Sequence, residues 1–74
     1  MKTIIHDYMC VYGKPPKGFG NWAFDVCGTD GEGRYTSEVV WATGRFAEAR
    51  KQAVREFKAM VPSVKTVVSV IVLP

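Results

Sequence analysis

The chain has 74 residues, of which 47% are hydrophobic and 23% charged, and its net charge is +3. That length holds one domain with one core, which we place over residues 1–74, and the composition excludes a disordered chain. The longest apolar run, from Val67 to Leu73, is only strand-sized and the N-terminal segment is too polar for a signal peptide, so we expect a cytoplasmic protein with no membrane contact.

In chain order, the first two predicted elements are strands. Thr3 to Tyr12 is rich in β-branched and aromatic residues, which favours a strand. Residues 13–20 contain three glycines and two prolines and predict a loop. Trp22 to Cys27 predicts a second strand, and the glycine-rich segment from Gly28 to Gly33 predicts a turn.

A third strand is predicted from Tyr35 to Ala42, followed by the one helix that the pattern supports. From Phe46 onward the apolar residues recur every three or four positions, which is typical of an amphipathic helix. Thr43 is the predicted N-cap, and Pro62 ends the helix because proline cannot continue its hydrogen bonding. Lys65 to Leu73 is rich in Val and Ile and predicts a fourth, buried strand.

These elements predict an α+β domain with the order β-β-β-α-β. We expect a four-stranded, mainly antiparallel sheet with strand order 3-2-1-4 and the helix packed on one face. The fourth strand is expected beside the first and parallel to it, since one helix between third and fourth strands makes the usual crossover.

Centring the two predicted hairpins assigns each strand residue to one face of the sheet. The helix-facing set is predicted to be Tyr8, Cys10, Tyr12, Trp22, Phe24, Val26, Val39 and Trp41. The opposite face then carries a row of three carboxylates, Asp7, Asp25 and Glu38. Such a row could bind Mg²⁺, but we interpret it as solvated polar surface and predict no metal and no cofactor.

A sheet covered on one side only leaves its other face to water or to a partner. We therefore predict a protein interface there, extended by an unplaced loop aromatic; its residues are Met9, Val11, Asp25, Glu38, Val40 and Phe19. The expected partner is a protein, a ribonucleoprotein or a second copy of the chain, and the acidic row favours a basic one.

The positive charge is unevenly distributed. Residues 45–61 hold five basic residues against two acidic ones, whereas residues 21–44 hold one against four. The alternative to a protein interface is nucleic-acid binding by a stripe along the helix and by the 13–20 loop. Its predicted residues are Lys14, Lys17, Arg45, Lys51, Arg55 and Lys58.

Catalytic motifs are absent from the sequence, and we do not expect an enzyme. His6 is the only histidine, and on a strand it would point away from its neighbour Asp7. Cys10 and Cys27 have no metal-site spacing and are expected to be buried free thiols.

Two segments resemble sequences of known nucleic-acid-binding families. KGFGNWAF, residues 17–24, is similar to an RNA-recognition-motif octamer but departs from it at Asn21 and Trp22, so we interpret Trp22 and Phe24 as core. GNWAFDV and VWATGRFAEARKQAV resemble the AP2 and integrase-arm type of DNA-binding domain over about residues 20–61. The matching residues are Trp22, Ala23, Asp25, Trp41, Phe46, Ala49 and Ala53.

The second resemblance implies a three-stranded sheet with a packed helix, and DNA binding by Arg and Trp side chains of the sheet. The first two predicted strands hold no Arg, and the middle of the sheet is acidic, so the resemblance supports the topology rather than the function. The element order is also similar to that of HicB-like partial RNase H domains.

From the sequence we therefore expect a small non-enzymatic interaction module. Its size is typical of phage or mobile-element accessory proteins, including inhibitors such as anti-CRISPRs. Nucleic-acid binding is the alternative.

Overall fold

The computed structural model describes all 74 residues, and it shows one four-stranded sheet with two helices. The α+β class is confirmed. The elements are β1 (Lys2–Ile4), α1 (His6–Tyr12), β2 (Phe19–Asp30), β3 (Tyr35–Arg45), α2 (Phe46–Met60) and β4 (Val64–Val72). Neither helix is long and apolar enough to cross a membrane.

The strand order is β1-β4-β2-β3. β4 is parallel to β1, as expected, and antiparallel to β2. The predicted order 3-2-1-4 is wrong in one respect, because β4 lies between β2 and β1 and not outside β1. With only three residues, β1 is too short to form a hairpin with β2. The apolar β4 takes the central place instead, and α2 carries the chain across β2 to reach it.

The predicted first strand is mostly a helix. After β1 ends at Ile4, residues Ile5, Tyr8 and Tyr12 follow helical spacing, and Ile5 and Tyr8 pack against the core. Gly13 ends α1 in the left-handed region at φ 72°, and its N–H donates to the Met9 carbonyl at 2.8 Å. The β-branched and aromatic composition favoured a strand, but the spacing of the packed residues is that of a helix.

The core lies between the sheet and the two helices. β2 contributes Trp22, Phe24 and Val26 to the core, as predicted. The two faces of β3 are exchanged relative to the prediction: Val40 is buried at 4% exposure, while Trp41 is exposed. The cause is the register, in which Asp25 lies opposite Val39 and not opposite Glu38. A shift of one residue exchanges the faces of a whole strand. The buried apolar residues are Trp22, Phe24, Val26, Val40, Ala42, Ala49, Ala53, Phe57, Val67, Val70 and Val72.

The junction between β3 and α2 differs from the predicted cap. Thr43 is part of β3 and donates its hydroxyl to Asn21 Oδ1 at 2.7 Å, while the N-cap position of α2 is Arg45, without a side-chain hydrogen bond. Gly44 has φ 143°, and its carbonyl accepts a hydrogen bond from the Trp22 indole N–H at 2.9 Å. This bond satisfies the polar atom of a buried side chain at the start of the helix.

Close packing of α2 on the sheet depends on Gly28. A Cβ atom at this position would lie 2.9 Å from the Thr66 carbonyl oxygen and 3.1 Å from the ring of Phe57. Because the carbonyl belongs to the neighbouring strand, it cannot move aside without disturbing the sheet. Glycine therefore lets the helix approach β2 at this point.

The β2–β3 turn is organised by Asp30. Its Oδ1 accepts the backbone N–H groups of Glu32 at 2.8 Å and Arg34 at 3.0 Å, and its Oδ2 accepts Arg34 Nε at 3.0 Å. The backbone bond from Arg34, followed by that from Glu32, lowers the pKa of the Asp30 carboxyl below its ordinary value.

Asp30→Asn should therefore lower the melting temperature in a pH-dependent way. A depressed folded-state pKa means that the stabilisation by the carboxylate is complete above the ordinary value of 3.8 and is lost as the pH falls through the lower folded-state value. Thermal melts of both proteins across the acid range should converge at low pH. The control is Glu38→Gln, which neutralises an exposed carboxylate with no ion pair. A difference in melting temperature between wild type and Asp30→Asn that stays constant with pH would contradict this account.

Phe57→Ala should destabilise the domain by about 3–5 kcal/mol, because a fully buried aromatic ring would be replaced by a cavity. Trp41→Ala should change the free energy of unfolding by only about 0.5 kcal/mol or less, as is usual at an exposed position. Urea denaturation of the two variants measures both values. Comparable losses in both would mean that the assigned faces of β3 are wrong.

Candidate functional site: the uncovered sheet face

Both helices pack on the same side of the sheet. Tyr8 of α1 and Phe46 of α2 lie on either side of Trp22, with ring centroids 5.8 Å and 5.1 Å from the indole. No element of the chain covers the opposite side, which we call the outer face. An uncovered face was expected from the sequence, but its residues differ from the predicted set.

The pairing of β2 with β3 and β4 determines which residues share the outer face. Trp41 lies opposite Ala23, and Val39 lies opposite Asp25, which itself lies opposite Ile71 on β4. Trp41 is 71% exposed and Val39 48% exposed. The centre of the face is therefore an apolar patch. The remaining outer-face residues of β2 and β3 are Phe19, Asn21, Cys27, Thr29, Tyr35, Ser37, Thr43 and Arg45.

Two of the six predicted interface residues lie on the outer face. Asp25 is half-buried at its centre, and Phe19 is 78% exposed at the end where β2 begins. Phe19 lies opposite Arg45 on β3. Asp25 follows from the alternation of β2, which was predicted correctly, whereas Phe19 was expected in the 13–20 loop and is the first residue of β2.

The other four predicted interface residues are placed wrongly. Met9 and Val11 lie on α1 and not on the sheet, since that segment is helical. Val40 is buried in the core, and Glu38 shares its side of β3, because the register differs by one residue. The sequence reasoning consequently missed Val39, Trp41 and Tyr35.

The row of three carboxylates does not form. Asp7 lies on α1, Asp25 on the outer face and Glu38 on the helix side of β3. No group of His, Cys, Asp and Glu side chains is placed to hold a metal ion. The three carboxylates of the magnesium alternative are therefore not brought together.

Both cysteines are free, but neither is buried as expected, since Cys10 is exposed on α1 and Cys27 is half-buried on β2. Its Sγ lies 3.6 Å from His6 Nε2, one helical turn away. The sequence predicted a strand here, which would hold the side chains of residues i and i+4 far apart. One turn of a helix brings them together instead. Both residues are exposed to solvent, and neither lines a cavity of the molecule.

The six predicted basic residues separate into two groups. Lys14 and Lys17 line a cleft of about 420 Å³, and Arg45 flanks Lys17 nearby. We call these three the basic end. Lys51, Arg55 and Lys58 are exposed on α2, which packs on the covered side of the sheet. The two groups therefore lie on different parts of the fold.

The cleft at the basic end has aromatic walls. It lies where β2 begins and β4 ends, between α1 and the loop that follows it. Tyr8 and Tyr12 stack with ring centroids 4.5 Å apart on the α1 side. The aromatic residues lining the cleft are Tyr8, Tyr12, Phe19 and Trp22.

The acidic charge of residues 21–44 is mostly absent from the outer face. Asp30 and Glu32 lie at the β2–β3 turn, each 3.0 Å from Arg34 in an ion pair. Glu38 lies on the covered side, which leaves Asp25 as the carboxylate within the outer face of β2 and β3. In the sequence, the acidic charge of residues 21–44 argued against anion binding on the sheet. In the folded chain most of that charge lies elsewhere, so the argument does not apply to the outer face.

No protein-family model, curated protein or solved structure matches the chain. The resemblances to AP2-type and HicB-like domains therefore stay predictions.

Proposed function

We propose that the protein is a non-enzymatic interaction module that binds a protein partner through the outer face, with Trp41 as its anchor. The observation that carries the proposal is the 71% exposure of Trp41 on a sheet face that no other element covers. The domain gains nothing from packing around this indole, because its core forms on the other side of the sheet.

The apolar patch supports a protein ligand. Tryptophan dominates the binding energy of many interfaces, and an aromatic side chain that becomes buried loses about 150–250 Å² of exposed surface. Trp41 has Ala23 directly opposite it and Val39 beside it on the same face. The residues stand on a hydrogen-bonded sheet, so little backbone entropy would be lost on binding.

The charges of the outer face argue for a near-neutral partner surface. Asp25 and Arg45 are the charged residues that β2 and β3 place there, and Lys2 of β1, whose partner Ser69 lies opposite Cys27, adds one positive charge, so the net charge of the face is small. The preference for a basic partner depended on the carboxylate row, which does not form. Binding through this face should therefore depend weakly on salt.

The narrower expectations stay predictions. A ribonucleoprotein partner and an inhibitor role of the phage or mobile-element type rest on chain size alone. Identification of the captured partner is the measurement that decides between them.

Trp41→Ala should weaken partner binding by at least about 30-fold, the equivalent of roughly 2 kcal/mol for an anchor residue. The partner is first captured from a lysate, identified and purified, and its dissociation constant is then measured by calorimetry. Tyr12→Ala is the matched control, since Tyr12 is an exposed aromatic on α1. Equal affinity of wild type and Trp41→Ala would rule out the outer face as the binding site.

A second function is favoured by the basic end. The fold brings Lys14, Lys17 and Arg45 together beside the exposed ring of Phe19. Cations beside exposed aromatic side chains are typical of proteins that bind single-stranded nucleic acid, where the rings stack on bases and the cations contact phosphates. We propose this function as the alternative, located at the basic end and not on α2.

Fluorescence anisotropy with labelled single-stranded oligonucleotides tests the alternative. If three phosphates are contacted, the slope of log K against log salt should be about −2. Simultaneous Ala substitution of the basic end should abolish binding, whereas substitution of Lys51, Arg55 and Lys58, with the same change in charge, should preserve it. The alternative fails if wild type does not bind at low salt. It also fails if Ala substitution of Lys51, Arg55 and Lys58 weakens binding as much as Ala substitution of the basic end.

A further inference from the structure

β3 is a long edge strand, and the one charged side chain on its helix side, Glu38, is exposed. It is hydrogen-bonded to β2 on one side only, and it is 11 residues long. Proteins usually protect such an edge with lysine, proline, a short strand or a covering element. β3 contains neither lysine nor proline, and four of its first five residues, Tyr35 to Val39, are exposed. The other edge strand, β1, has only three residues, and this shortness protects it.

We propose that β3 pairs antiparallel with β3 of a second copy, around a two-fold axis at Val40, to form a continuous eight-stranded sheet. The proposal goes beyond the function above, because it concerns the edge of the sheet and not its outer face. Val40 is the central residue of the strand, so this register pairs β3 along its whole length.

The face assignment restricts the register. For the two outer faces to continue into one another, outer-face residues must pair with outer-face residues, and buried Val40 and Ala42 must remain on the helix side. An axis at Val40 satisfies this condition. It places Trp41 opposite Val39 of the second copy and Ser37 opposite Thr43 of the second copy.

The register is compatible with the charges of β3. Glu38 and Arg45 are the charged residues of β3. In this register Glu38 lies opposite Ala42 of the second copy, and Arg45 lies opposite Tyr35, where a cation can rest on the ring. No like charges oppose each other, and the Trp41–Val39 contact occurs twice. These features argue for a second copy as the occupant of the edge.

Sedimentation of charge-swapped variants tests the interface. Wild type should sediment as a dimer, and Ser37→Lys/Thr43→Lys should be monomeric because like charges would then oppose each other twice. Ser37→Glu/Thr43→Glu should also be monomeric, and an equimolar mixture of the two variants should form a heterodimer. The control, Ser63→Lys/Thr66→Lys, adds the same charge at exposed positions at and just before β4, which does not pair with β3, and should remain dimeric. Circular dichroism confirms that each variant is folded.

Cysteine cross-linking tests the register. In a Cys10→Ser/Cys27→Ala background, Ser37→Cys and Thr43→Cys should form a disulfide when mixed, because directly opposed residues have Cα atoms about 4.5–5.5 Å apart, within the about 4.4–6.8 Å that a disulfide spans. Neither variant alone should cross-link, since each cysteine would oppose a residue that is not a cysteine. Cross-linking of one variant alone, or none in the mixture, would overturn the register.

The proposal is wrong if wild type is monomeric at the highest soluble concentration, or if the Lys variant stays dimeric. These outcomes are distinct from failure of the proposed function. A monomer that still binds its partner through Trp41 refutes the dimer alone, and a dimer whose partner binding ignores Trp41→Ala refutes the partner site alone.

Discussion

The antiparallel register that places Phe24 opposite Val40 determines both surfaces of the sheet. It aligns the buried residues of β2 and β3 beneath the helices, and by the alternation of side chains it leaves Trp41 and Val39 on the other side. The hydrogen bond from the Trp22 indole to the Gly44 carbonyl connects this register to the start of α2. The composition of the open face and the side of the sheet on which Glu38 lies both depend on this alignment.

β2 and α2 could be predicted from the sequence because each shows one dominant period, and β4 because it is rich in Val and Ile. β3 could not be oriented, because Val39 and Trp41 at odd positions are as apolar as Val40 and Ala42 at even ones. Alternation therefore allows either face of β3 to be the buried one. The glycine-rich turn before β3 does not fix the register with β2 to within one residue. The orientation of β3 is determined by its packing against α2, which buries the smaller pair, Val40 and Ala42, and leaves Val39 and Trp41 on the outer face.

The N-terminal segment shows a different conflict. Its composition favours a strand, but Gly13 and the spacing of Ile5, Tyr8 and Tyr12 are signs of a helix that ends in a left-handed cap. With α1 recognised, Met9 and Val11 would have been excluded from the sheet. The candidate site was thus predictable at Asp25, where it depended on the alternation of β2, and not where it depended on the first strand or on the orientation of β3.

The two tryptophans of the chain occupy opposite environments. Trp22 is buried, with its indole N–H bonded to a carbonyl, while Trp41 is mostly in contact with water. The emission of a buried indole lies at shorter wavelength than that of a hydrated one, and dissolved quenchers reach only the latter. The protein therefore carries two built-in optical reporters, one for the integrity of the core and one for events at the outer face.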